Sequence, residues 1–73
     1  MLARETGKEV LRILSDRMSY ATEMGKEISA KYGIEKDQAK LRIKSVLEEM
    51  KNNNEVGRVK YLRDGKSIVM YYS

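Results

Sequence analysis

Up to about residue 52, apolar residues recur at intervals of three and four; beyond it the interval falls to two. The first spacing belongs to helices that bury one face and the second to strands. Val10, Leu11, Ile13, Leu14 and Met18 predict a first helix over about 6–17, with its apolar stripe in the core. Thr6 and Glu9 have the spacing of a capping box at its start. Ser19-Tyr20-Ala21 reads as a short extended link. A second helix over about 22–32 takes Thr22 as its N-cap and buries Met24, Ile28 and Tyr32. Gly33 ends it, as a left-handed C′ residue does.

The third helix spans about 36–52, with Ala39, Ile43, Val46, Leu47 and Met50 clustered on one third of its circumference. Leu41 points the other way. Asn52-Asn53-Asn54 stops the helix, with an asparagine in the left-handed cap. Two β-prone runs then occupy about 56–72 on either side of Asp64-Gly65, a strong two-residue hairpin signal. In that register Arg63 faces Lys66, Tyr61 faces Ile68 and Val59 faces Met70. The last two pairs are expected to pack on the helices. Arg58, Lys60, Leu62, Val69 and Tyr71 fall on the opposite face. Tyr20 and Tyr32 read as core residues; of Tyr71 and Tyr72, one is expected to pack. The expectation is one α+β domain over 1–73, three helices followed by a two-stranded hairpin.

Composition narrows the chemistry. The chain of 73 residues has neither cysteine nor histidine. That removes disulfides, thiolate metal sites, the commonest metal ligand and the commonest general base. Glu48 and Glu49 diverge on their helix, the serines have no histidine to activate them, and the scattered glycines form no phosphate loop. The expectation is no enzyme, no metal, no cofactor and no small-molecule substrate. No apolar run reaches membrane-span length, and Met1–Glu5 lacks a signal-peptide core. The protein is therefore expected to be soluble and cytoplasmic, within the cell.

Charge is informative through its placement. The net charge is +4, yet residues 1–33 hold 6 cations and 5 anions. Lys36, Lys40, Arg42 and Lys44 stand against Asp37 alone, and Arg58, Lys60, Arg63 and Lys66 against Asp64 alone. The excess thus sits on the third helix and the hairpin.

The order helix, helix, tight turn, helix, hairpin resembles the winged helix-turn-helix superfamily. The resemblance is closest over Glu27-Ile28-Ser29-Ala30-Lys31-Tyr32-Gly33-Ile34. It continues through Ala39, Ile43, Val46 and Leu47 into Val56-Gly57-Arg58-Val59, and covers roughly residues 6–72. It implies that Ser29 is the small residue admitting the third helix, and that the hairpin is a wing. It also implies double-stranded DNA as partner, with the third helix in the major groove and the wing on the backbone or minor groove. The expected DNA-binding residues are Lys36, Gln38, Lys40, Leu41, Arg42, Lys44, Arg63 and Lys66. Gln38 suits adenine, the cations suit guanine or phosphate, and Leu41 suits a thymine methyl. Lys40 and Lys44 are the leading pair. A transcriptional regulator follows, as a monomer or as a homodimer formed through the first helix, the wing or Leu2.

Other readings stand beside this one. The third-helix cations also suit a solvated face, and the hairpin cations suit edge-strand protection. Leu41, Leu62 and Tyr71 would be anchors if the domain were a protein-interaction module. An RNA-binding module would use the same basic surfaces.

Overall fold

The structure, a computed structural model, describes residues 3–73; Leu2 lies outside the described residues. It contains helices α1 (Ala3–Asp16), α2 (Ala21–Tyr32) and α3 (Lys36–Asn52), then strands β1 (Gly57–Arg63) and β2 (Lys66–Tyr72). The two strands pair antiparallel, with Arg63 opposite Lys66, Tyr61 opposite Ile68 and Val59 opposite Met70. Among the described residues, no helix is long and apolar enough to cross a membrane.

The helical period decides what is buried. In α1, Thr6, Val10, Ile13 and Leu14 face inward, whereas Leu11, and Met18 just beyond the helix, remain exposed. The helix begins ahead of Thr6, so the expected capping box does not form. Thr6 lies inside the helix, and the Glu9 carboxylate accepts from Lys31 and Arg12 instead. In α2, Met24 and Ile28 are buried but Tyr32 is exposed. Its N-cap is Tyr20, not Thr22, with no side-chain hydrogen bond. Tyr20 is also exposed, so neither tyrosine belongs to the core. All five residues of the α3 stripe are buried.

Two turns follow their sequence signals. Gly33 is left-handed (φ 66, ψ 31) and its N–H donates to the Ser29 carbonyl at 2.9 Å. A side chain is strained at that φ, so glycine is the natural occupant. Asp64 and Gly65 are both left-handed, as a two-residue turn of the I′ type demands. After α3, Asn54 takes positive φ and Glu55 donates back to the Met50 carbonyl.

The hairpin is seated differently from the expectation. Its alternation is as foreseen, but Tyr71 of the supposed outer face packs against the core. On the other face Val59, Ile68 and Met70 are half-buried and Tyr61 is exposed. The reason lies in the link between α1 and α2. Buried Ser19 forms an isolated antiparallel bridge to Tyr71, with paired backbone hydrogen bonds of 3.1 and 2.7 Å. That rung clamps the base of β2 to the helices. Val56 is buried beside it, and Ser73 donates to the Leu14 carbonyl. The Tyr72 ring lies where a Gly57 side chain would be, so glycine lets that ring lie across the strand.

Candidate nucleic-acid interface

Helix α3 is fixed from both ends. At its start the Glu35 carboxylate accepts from the backbone N–H groups of Asp37 and Gln38, at 3.1 and 3.3 Å. A carboxylate there satisfies orphan donors and suits the positive end of the helix dipole. It also occupies the place a phosphate would take, so an anionic ligand must be held by side chains. The turn before it is closed by Ser29, whose hydroxyl donates to the Ile34 carbonyl.

A close approach of α2 to α3 occurs at Gly25. A Cβ on Gly25 would stand 3.4 Å from both the Cα and the N of Lys40. Gly25 thus joins Ser29, one helical turn later, as a small residue on the α2 side of the turn. A lone glycine inside an amphipathic helix was its only sequence signal.

The eight residues expected at the interface divide by position. Lys36, Gln38, Leu41, Arg42 and Lys44 are exposed on α3, Leu41 at 62%. Lys40 is half-buried because its backbone sits in the crossing with Gly25. Arg63 and Lys66 are exposed and directly opposed across the hairpin turn. At 100° per residue, Lys36, Lys40 and Lys44 form a single row on one flank of α3. Gln38 and Arg42 lie on the other flank. Leu41 and Ser45 run between the flanks, farthest from the buried stripe.

The next residue of the lysine row is Glu48. Its carboxylate meets Arg58 at the start of β1 at 3.5 Å and Lys51 at 3.8 Å. The row therefore runs directly to the base of the hairpin. From Arg58, strand alternation leads outward through exposed Lys60 toward the Arg63–Lys66 turn. Lys60 joins the candidate surface through that alternation, although it was not among the residues first singled out.

On the α1–α2 side, Glu9, Glu23 and Glu27 are occupied by cations. Buried Glu9 accepts from Lys31 at 2.9 Å and Arg12 at 3.2 Å, joining α1 to α2. Chiefly the Lys31 hydrogen bond holds the Glu9 carboxyl below its ordinary pKa, against the opposing effect of burial. Arg17 bridges Glu23 and Glu27, both at 3.3 Å. By contrast, none of Lys36, Lys40, Lys44, Lys60, Arg63 and Lys66 forms an ion pair among the described residues.

No group of three or more potential metal-ligating side chains occurs among the described residues. No protein-family model matches the chain, and no curated protein or solved structure matches it either.

Proposed function

We propose that this chain is a winged-helix domain that binds double-stranded DNA and regulates transcription, with no catalytic role. In this reading α3 enters the major groove and the hairpin acts as the wing on the backbone or minor groove. The observation that carries it is the unpaired row Lys36–Lys40–Lys44, which leads through the Glu48–Arg58 pair to the cationic hairpin. Duplex DNA presents phosphates at regular intervals along such a path, and unpaired ammonium groups release its counterions on binding. Gln38, Leu41 and Ser45 occupy the ridge that would face base edges. Arg42 would serve the opposite flank.

The test is a fluorescence titration of random-sequence duplex across a range of salt concentrations. Each phosphate neutralised contributes a slope of roughly −0.9 in log K against log salt. Replacing Lys44 by Ala should reduce the slope by about 1. A slope indifferent to both Lys44 and Lys36 would remove the lysine row from the interface. A single-stranded RNA competitor separates an RNA module from this reading: it should compete poorly.

A protein-interaction module is the second reading, favoured by the exposure of Leu62 at 85% and of Leu41. Tyr71 no longer supports it, because that ring packs against the core.

A further inference from the structure

A groove of about 370 Å³ separates the first half of α1 from the end of α3. Its α1 wall carries Arg4 and Lys8, and its opposite wall carries Glu49 and Glu55. All four are exposed, and none joins an ion pair among the described residues. Leu11, 38% exposed, stands at one end, while Val46 and Met50 close the floor. Gly7 lies between the two cations. It does not have positive φ, and a Cβ there would meet only Val46 and Met50 at ordinary contact distances of 3.7 and 4.0 Å. Nothing inside the chain requires glycine at this position, and glycine weakens a helix interior. Its effect is to keep the groove open.

We propose that a second copy of this chain docks on this groove, forming a two-fold dimer whose axis runs along it. The charge pattern selects both the occupant and the axis. A two-fold interface brings one patch against itself. Rotation about an axis along the groove exchanges its walls, so Arg4 and Lys8 of each copy oppose Glu49 and Glu55 of the other. Rotation about an axis across the groove would set cations against cations. The Leu11 side chains of the two copies then come together at the same end of the joined groove, and Gly7 lets the two backbones approach. The surface uses neither the lysine row of α3 nor the hairpin turn, so it is independent of the DNA reading and is tested without DNA.

The interface is small, so association should be weak and concentration-dependent. The experiment is sedimentation equilibrium of the full chain at low salt, from about 1 µM to about 1 mM. Wild type should pass from monomer to dimer across that range. R4E/K8E and E49K/E55K should each stay monomeric, with dissociation constants raised at least about tenfold by like-charge opposition. Mixed in equal amounts, the two variants should form a heterodimer, because each then supplies the charge the other lacks. The single chain R4E/K8E/E49K/E55K, whose net charge is unchanged, should dimerise again. Far-UV circular dichroism confirms that each variant is folded. A wild type monomeric throughout, or folded charge-reversal variants that associate as wild type does, overturns the proposal.

Discussion

The paired side of this molecule and its unpaired side are built from the same residue types. On the α1–α2 side, Arg12, Arg17 and Lys31 are committed to Glu9, Glu23 and Glu27. Those cations join helices and have no charge to spare. On α3 and the hairpin, Lys36, Lys44, Lys60, Arg63 and Lys66 are exposed and have no carboxylate partner among the described residues. Asp37, Glu48 and Asp64 interrupt that surface, and Glu48 is engaged by Arg58 and Lys51. The cationic excess lies on the second side, where the basic groups well outnumber the acids. Here the charge that joins helices is neutralised locally, whereas the charge on α3 and the hairpin is left open to a partner.

The largest expected effect comes from removing the open cations. K36A/K44A/K60A should weaken duplex binding by about a hundredfold near physiological salt and lower the salt slope by roughly 3. Thermal melting should barely move, since the three side chains are exposed. A large loss of melting temperature would mean that they hold the fold together.

Packing at the α2–α3 crossing comes next. Gly25→Leu forces a side chain against the Lys40 backbone and should cost about 1–3 kcal/mol by chemical denaturation. An unchanged denaturation midpoint would show that the two helices can separate freely.

Glu9 tests the paired side. Its carboxyl pKa is depressed in the folded state, so the stability it adds is fully present above the unfolded value of 4.5. That stability is lost as pH falls through the folded value. Glu9→Gln should cost about 1 kcal/mol at neutral pH, a modest figure because Lys31 and Arg12 are half in water. The cost should shrink on acidification, and the salt slope of DNA binding should stay unchanged. A variant equally destabilised at pH 3 and pH 7 would contradict the sign of this linkage.

The smallest effect is expected at Glu48. Glu48→Gln removes the anion that continues the lysine row and should strengthen duplex binding by a few-fold at low salt. Weaker binding would show that the Arg58 pair matters more as a brace for the hairpin than as a charge.

Much of the architecture was legible in the sequence. The α3 stripe, Gly33 and Asp64-Gly65 each combine a clear period or turn residue with a single backbone solution, and all three were realised. The failures share a cause, which is that local signals do not report tertiary neighbours. Thr6 and Glu9 have capping spacing, but helix α1 starts earlier and Lys31, distant in sequence, claims the carboxylate. Tyr20 and Tyr32 are amphipathic side chains whose burial depends on what lies opposite them. The Ser19–Tyr71 rung joins residues far apart in the chain, and it seats Tyr71 against the core. At the candidate interface, the α3 cations follow from the helical period. Glu48's pairing with Arg58, and therefore the path onto the hairpin, required the fold.

The most direct test of the central claim is the salt dependence of binding to random-sequence duplex DNA, compared between the wild-type chain and K36A/K44A/K60A. The account predicts binding that falls steeply with salt for the wild type and a clearly shallower line for the variant. Wild-type binding that is absent at low salt, or two parallel lines, would contradict it.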